Sequence, residues 1–201
     1  MARALHCPFG VSPKRQRGFT LIEMMVVVII VGILALLAVV GYRKLVSSSH
    51  VSEATNMVQS IRVAQEAYHS ETQQYADVSN TLSSWYPDTP TNLVPGTPDG
   101  KHVTAWGGAC SNCQQTWGVL PVHVDGPVMF GYATKANSAG TAPAALPADI
   151  TGQINLSSVS PSPTEWFMIT AMCDLDATGS PYTYVATTSW SNQVFTFNEG
   201  Q

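Results

Sequence analysis

The feature that most constrains this chain is an apolar stretch of 24 residues, Phe19 to Tyr42, whose one charged residue is Glu23. At roughly 1.5 Å per residue, a helix of this length reaches about 36 Å, enough to cross a hydrocarbon layer of about 30 Å. The stretch is too long for the apolar core of a secretory signal, and no convincing cleavage site closes it. Residues 1–18 carry four basic residues and no acid, which predicts that they stay cytoplasmic. The sequence therefore predicts a single-pass anchor with its C-terminal part outside.

The string RGFTLIEMMVVVIIVGILALLAVVGY, residues 17–42, closely resembles the N-terminus of type IV pilins and of the related type II secretion pseudopilins. The resemblance implies a class III signal. A prepilin peptidase would cut the Gly18–Phe19 bond on the cytoplasmic side, remove the leader 1–18, and leave a new N-terminal Phe19 that is N-methylated. The apolar stretch would stay in the mature protein as a transmembrane and assembly helix, residues 19–42.

Glu23 needs an explanation of its own, because a carboxylate in an apolar membrane segment is costly and usually has a partner. The resemblance implies that Glu23 pairs with the Phe19 amine of a neighbouring subunit during assembly. Burying either charge alone costs several kcal/mol, so such a pair would fix the register between subunits. The alternative is a local role, in which Glu23 stabilises the N-terminus of its own helix by about 0.3–1 kcal/mol.

After Tyr42 the apolar run becomes an amphipathic pattern, with one stripe of residues spaced alternately three and four apart. The stripe consists of Val51, Ala54, Val58, Ile61, Gln65, Tyr68, Thr72 and Tyr75. Glu53, Arg62, Glu66 and Glu71 are predicted to point elsewhere. With no proline or glycine between residues 42 and 76, we expect one helix from Phe19 to about Tyr75, whose part 43–76 packs on a head formed by residues 77–201.

The head is predicted to be an antiparallel sheet with long loops. Alternation at Val128, Phe130 and Tyr132 predicts one strand, and Trp166–Cys173 predicts a second with Phe167, Ile169, Ala171 and Cys173 on one face. Residues 182–187 and 193–197 predict a hairpin. The fold class is therefore α+β, a long N-terminal helix packed on a C-terminal antiparallel sheet, which is also the pilin architecture.

Cysteine usage leaves the disulfide pattern open. Pilins often tie down their C-terminal region with a disulfide, so the resemblance implies a bond from Cys173 to Cys113 or to Cys110, with Cys113 preferred; a Cys110–Cys113 bridge is the alternative. The C-x-x-C pattern also occurs in zinc and redox sites. The chain lacks suitably spaced further zinc ligands and the βαβ setting of a thioredoxin-type site.

The segment CDLDATGSP places Asp174, Asp176 and Thr178 at alternating positions before a glycine, a pattern that calcium loops use. Some pseudopilins carry calcium in this region, so these three residues are a calcium candidate. A polar turn between two strands is the favoured reading. We therefore predict no metal and no cofactor.

Charge and motifs exclude other functions. After Gly18 the chain has five basic and 13 acidic residues, which argues against a nucleic-acid-binding surface. No hydrolase, metalloprotease or nucleotide-binding motif occurs, and the histidines lie on different predicted elements. The sequence predicts that the chain is not an enzyme.

The resemblance implies a structural subunit, a major or minor pilin, of a type IV pilus-like filament. Its partners would be the prepilin peptidase and N-methyltransferase, other pilin subunits, and the assembly platform with its ATPase. It would reside in the bacterial inner membrane with a periplasmic head and then on the pilus surface.

Three alternatives stay open. One is a type II secretion pseudopilin in a periplasmic pseudopilus, which is favoured by Val40-Gly41 where pilins commonly have a proline. Another is a membrane-anchored adhesin, which would need neither leader cleavage nor Glu23. The third is an anchored thiol oxidoreductase acting through Cys110 or Cys113.

Overall fold

The computed structural model describes residues 18–87, 106–107, 117–152, 154, 162–175 and 182–199. The chain divides into two compact units, Met1–Gly41 and Tyr42–Gln201. The elements in chain order are helix α1 (Leu21–Thr72), a 3-10 turn at Trp117–Val119, strand β1 (Gly131–Asn137), a 3-10 turn at Ala148–Ile150, and strands β2 (Trp166–Cys173), β3 (Thr183–Thr188) and β4 (Ser191–Phe197). This α+β architecture, a long N-terminal helix and a four-stranded antiparallel sheet, confirms the predicted fold class.

Helix α1 ends three residues before the predicted end at Tyr75. Gln73 has φ 59°, a left-handed conformation that does not continue a helix, and its backbone N–H donates to His69 O at 2.8 Å. A left-handed residue just past the last turn is a common way to close a helix. As a result Thr72, predicted to lie on the packing stripe, is exposed.

The predicted stripe is otherwise correct within the second unit. Val51, Ala54, Val58, Ile61 and Gln65 are buried, and Tyr68 and Tyr75 are partly buried against the same core. Met57 and Ala64 are buried as well, which widens the apolar face beyond one line of residues. The second half of α1 therefore packs on the head, as a stripe of this period requires.

The sheet is a simple antiparallel meander in the order β1-β2-β3-β4. Strand β2 has the predicted bounds, and the predicted hairpin is formed by β3 and β4. Strand β1 starts at Gly131, three residues after the predicted start at Val128, and pairs with β2 from Gly131↔Met172 to Asn137↔Trp166. Val128 and Phe130 are buried but do not pair with β2. The alternating residues at 128–130 therefore indicated burial and not a strand.

Both faces of the central strands are covered. Phe167, Ile169, Ala171 and Cys173 lie on the face that packs with α1, as predicted. The opposite face, which includes Met172 and Tyr184, packs against residues from the connections, among them Trp85, Ile150 and Ile154. All eight residues of β2 are buried, so the sheet is the middle of three layers in the second unit.

The outer edge of β1 is closed by the segment that follows α1. Tyr132 and Tyr86 exchange backbone hydrogen bonds of 2.7 and 2.8 Å. The Ser79 N–H donates to Thr134 O, and the Ser79 hydroxyl accepts from the Thr134 N–H. Lys135 Nζ lies 2.6 Å from Asp77 Oδ2. An edge strand that is paired in this way offers no template for further strands.

Two polar side chains of α1 fasten the helix to the head. Gln65, fully buried, donates from Nε2 to Ala76 O at 2.8 Å and to Thr134 Oγ1 at 3.0 Å, while its Oε1 accepts from the Ala76 N–H at 2.9 Å. Arg62 donates to Thr187 Oγ1, Ser191 O and Asn192 Oδ1 at 2.7–3.2 Å. Arg62 lies off the packing stripe, as predicted, but its contact with the head was not predicted. Its long side chain reaches the β3–β4 hairpin from the flank of the stripe.

Candidate assembly site

The predicted cleavage bond lies in exposed, non-helical backbone. Residues 18–20 precede the first turn of α1, and 72 % of the Phe19 surface is exposed. Among the described residues, no atom outside its chain neighbours lies within 4 Å of the position that a Cβ on Gly18 would take. The exposure of residues 18–20 leaves the Gly18–Phe19 bond accessible, and its cleavage stays a prediction.

Glu23 lies in the first turn of α1, where it forms a reciprocal pair with Thr20. The Thr20 N–H donates to Glu23 Oε2 at 3.5 Å, and the Glu23 N–H donates to Thr20 Oγ1 at 3.3 Å. The backbone bond from Met24 N to Thr20 O, at 3.2 Å, continues the helix from this point. This arrangement is a capping box, in which two side chains satisfy N–H groups that the helix leaves free.

Thr20 is a site residue that the sequence reading missed. The signal was present as the four-residue pattern T-L-I-E, because a threonine followed three positions later by glutamate marks a helix start. The capping box corresponds to the local alternative for Glu23, in which its side chain stabilises the N-terminus of its own helix. The carboxylate is exposed in the single chain, so it stays accessible to a cation from elsewhere.

Between Leu21 and Gly41 the helix buries no side chain within the described chain. The most apolar window of 18 residues in α1 has a mean hydropathy of 3.2 and 0 % burial, so the helix is long and apolar enough to cross a membrane. Many of its large side chains are more than half exposed, for example Ile22 at 71 %, Leu36 at 73 % and Val40 at 70 %. Apolar surface on this scale marks a contact with lipid or with another protein.

Of the three cysteines in the predicted disulfide pairings, only Cys173 lies among the described residues. Cys173, at the end of β2, carries a free and buried thiol, while Cys110 and Cys113 lie outside the described part of the chain. Burial, reinforced by the neighbouring Asp174 carboxylate, raises the pKa of the Cys173 thiol to about 12. The pairing of Cys173 with Cys113 or Cys110 stays a prediction.

The calcium candidate is described only at its first residue. Asp174 is buried next to Cys173, whereas Asp176 and Thr178 fall outside the described residues. Among the residues that the structure does describe, no group of three or more His, Cys, Asp or Glu side chains could hold a metal ion. The calcium proposal is therefore left as a prediction from the sequence pattern.

Comparison with known families identifies the N-terminal segment. Residues 13–39 match the family described as the prokaryotic N-terminal methylation motif. The matched range contains the Gly18–Phe19 bond, the Thr20–Glu23 capping box and most of the exposed apolar helix.

Similar curated proteins are pilins and fimbrial proteins. The chain is 43 % identical over 68 residues to the type IV major pilin protein PilA of Myxococcus xanthus, which covers 34 % of this chain and 31 % of that protein. It is 34 % identical over 90 residues to the fimbrial protein EcpC of Eikenella corrodens, covering 45 % of this chain and 52 % of the relative. The type IV major fimbrial protein FimA of Dichelobacter nodosus is 42 % identical over 48 residues, 24 % of this chain and 30 % of FimA.

These alignments span about a third to a half of each relative's length. No solved structure matches the chain significantly. The methylation motif at the start of an exposed apolar helix, the pilin relatives, and a helix followed by an antiparallel sheet agree with one another. Over its N-terminal part, the chain is therefore similar to type IV pilins and carries the prokaryotic N-terminal methylation motif.

Proposed function

We propose that this chain is a structural subunit of a type IV pilus-like filament and is not an enzyme. The observation that carries the proposal is the division of α1. Its second half packs one face on the head, whereas residues Leu21–Gly41 bury no side chain within the described chain and lie largely within the methylation motif. A helix with these two parts is suited to carry one folded head per copy while its free part packs with other copies.

The exposed half of α1 needs two apolar environments in succession. Each fully buried valine, leucine or isoleucine side chain gains roughly 1.5–3 kcal/mol relative to exposure in water, so more than a dozen such residues cannot stay in water. Before assembly the inner membrane would cover them, with the leader cytoplasmic and the head periplasmic. After assembly the same surfaces would pack against equivalent helices in the core of a filament.

Processing would prepare the electrostatic pair. Cleavage of the Gly18–Phe19 bond by a prepilin peptidase creates a terminal amine on Phe19, which the partner methyltransferase activity modifies. Glu23, exposed in the single chain, would exchange its weak capping contact for the amine of a neighbouring subunit. Charges leaving water need a partner of opposite sign, so the pair would favour a single register. The assembly platform and its ATPase would supply the force for extraction from the membrane.

The proposal is tested by mass spectrometry on filaments sheared from the native cells. The expected result is a peptide that begins at methylated Phe19. If it dominates the sheared fraction, the subunit is the major pilin, and a trace amount beside another dominant pilin makes it a minor subunit. An intact leader in every fraction would overturn the proposal.

A type II secretion pseudopilin is the second candidate, and one observation favours it. Helix α1 runs through Val40 and Gly41 without the proline that pilins commonly have near this position. The same experiment separates the two functions. A processed chain that stays with the cell envelope and never enters the sheared fraction would indicate a pseudopilin.

A further inference from the structure

A groove lies in the second unit between α1 and the segment 123–128. Its volume is about 290 Å³, and one wall is formed by Glu53, Asn56, Met57 and Ser60 of α1. Tyr132 of β1, which is fully buried, also lines the groove. The mixture of apolar surface with a few convergent polar groups is typical of sites that receive a side chain or ligand.

The charged groups that line this groove favour a cationic occupant. Glu53 and Asp125 are its two carboxylates, and the other titratable side chains lining it are His123 and Tyr132. The ion-pair partners described for the carboxylates are histidines: His50 Nδ1 at 3.9 Å from Glu53 and His123 Nε2 at 3.1 Å from Asp125. No lysine or arginine lines the groove.

A buried hydroxyl on a residue that lines the groove gives a second observation. Tyr132 is fully buried, and its Oη has no hydrogen-bond partner among the described residues. Buried polar groups are normally paired, so an orphan is a sign of a missing contact. Burial raises the pKa of Tyr132, and the charges of Glu53 and Cys173 add to the rise.

The second unit also carries cations that form no ion pair with the described residues. Two of the four lysines and arginines described in the second unit are engaged: Arg62 by the β3–β4 hairpin and Lys135 by Asp77. Arg43 and Lys44 are exposed, and within the described part of the chain they form no ion pair. They lie nine or ten positions before Glu53 on α1, so they cannot reach it on the same helix, where only residues three or four apart are neighbours.

We propose that the groove between α1 and segment 123–128 receives the Arg43–Lys44 cations of a second copy of this chain. The contact joins two different surfaces, so it is heterologous: each copy offers its cations to one neighbour and its groove to another. Contacts of this kind continue from copy to copy and build helical filaments. The inference deepens the proposed function by naming a contact between subunits, and it rests on that function.

The first test is zero-length coupling of carboxylates to amines with a carbodiimide on sheared native filaments. Coupling joins an ammonium to a carboxylate only where the two are in contact, so we expect a peptide that contains Lys44 to be linked to one that contains Glu53 or Asp125. Because each copy uses two surfaces, a gel should show a ladder of dimers, trimers and higher species. Filaments in which Lys44 is linked to neither carboxylate would overturn the proposal.

Variants give an independent readout. Lys44→Arg keeps the charge but offers no amine that couples, so filaments should persist while the ladder is lost. Lys44→Glu or Glu53→Lys should each lower the sheared filament yield about tenfold, and the two together should recover most of it. Glu71→Lys, an exposed acid on the same helix that does not line the groove, is the matched control and should assemble normally.

The outcomes separate this contact from the proposed function. If the wild-type chain is absent from sheared filaments, the filament function itself fails and this contact fails with it. If wild-type filaments contain the chain but the charge reversals assemble normally and no Lys44 cross-link forms, the filament function stands and the groove contact is wrong. Immunoblots of processed subunit in membranes confirm that each variant is made and cleaved.

Discussion

The two halves of helix α1 have the same backbone conformation, but they differ in how many of their side chains are buried within the described chain. Apart from Glu23, Leu21–Gly41 is apolar on all sides and buries no side chain within the described chain, whereas in the half from Tyr42 to Thr72 a stripe that includes Val58 and Ile61 is fully buried. A helix that is apolar all round needs apolar surroundings on every side, and a striped helix needs one covering layer. The first half must therefore find its partners outside the chain, and the second half finds them in its own head.

The largest expected effect belongs to the first half. Gly18→Leu places a bulky side chain beside the predicted cleavage bond, so we expect the leader 1–18 to remain attached and filaments to be absent. Intact mass measurement of the membrane-bound chain reads out processing directly. Gly32→Leu, at a helical glycine whose Cβ position meets no atom within 4 Å, is the control and should be processed normally. Normal cleavage of Gly18→Leu would count against the class III signal.

The second half should respond in stability instead. Gln65→Ala leaves the Ala76 backbone groups and the Thr134 hydroxyl without their buried partner and opens a cavity, which should lower the free energy of unfolding of the head by about 3 kcal/mol. Denaturant unfolding of the detergent-solubilised chain, followed by tryptophan fluorescence, measures this loss. Val63→Ala, at a side chain 68 % exposed on the same helix, should change it by less than about 0.5 kcal/mol. Equal effects of the two variants would mean that Gln65 is not a fastening point.

Arg62 should contribute less, because its hydrogen bonds are only partly buried. Arg62→Met keeps the length of the side chain and removes three donated bonds to the β3–β4 hairpin, so we expect a loss of about 1–2 kcal/mol in the free energy of unfolding. Arg43→Met removes a cation with no described ion pair and should leave the stability of the head unchanged. A destabilised Arg43→Met head would show that the cation has a role within its own chain.

Cys173 gives the smallest effect near neutral pH. Because burial raises the pKa of its thiol to about 12, the folded protein binds this proton more tightly than the unfolded chain, whose thiol has a pKa of 9.0. The resulting stability is present below pH 9 and is lost as the pH rises towards 12, with the unfolding free energy falling by a few kcal/mol across that window. In reduced protein at pH 8, alkylation of Cys173 should require denaturant. Rapid alkylation of Cys173 in the native chain would contradict the burial of its thiol.

The elements were predictable where burial follows a simple period. Strand β2 was found with its bounds because its eight residues are followed and preceded by polar breaks, and the β3–β4 hairpin was found because its strands flank a short polar turn. The end of α1 was missed because it depends on the left-handed backbone of Gln73, which no apolar period reveals. Strand β1 was placed too early because Val128 and Phe130 are buried without belonging to a strand.

The site residues differ in the same way: some can be predicted from their neighbours in the sequence, and others only from the folded structure. The predicted cleavage bond Gly18–Phe19 and Glu23 lie in a continuous string, so one sequence is enough to propose them, and the Thr20–Glu23 capping box is predictable from the same string. The roles of Arg62 and of the groove at Tyr132 depend on residues more than 60 positions apart along the chain. Only the folded head brings those residues together, so a pattern along the chain could not reveal them.

The most direct test of the proposed pairing between subunits compares the filament yield of two single variants at the start of α1. Glu23→Gln keeps a capping side chain but removes the charge, whereas Thr20→Ala removes the capping hydroxyl and keeps the charge. If Glu23 pairs with the Phe19 amine of a neighbour, Glu23→Gln should be inserted and cleaved yet assemble at least about tenfold less, while Thr20→Ala loses only about 1 kcal/mol of helix capping and assembles nearly normally. Wild-type filament levels in Glu23→Gln, or an equal loss in Thr20→Ala, would contradict the pairing.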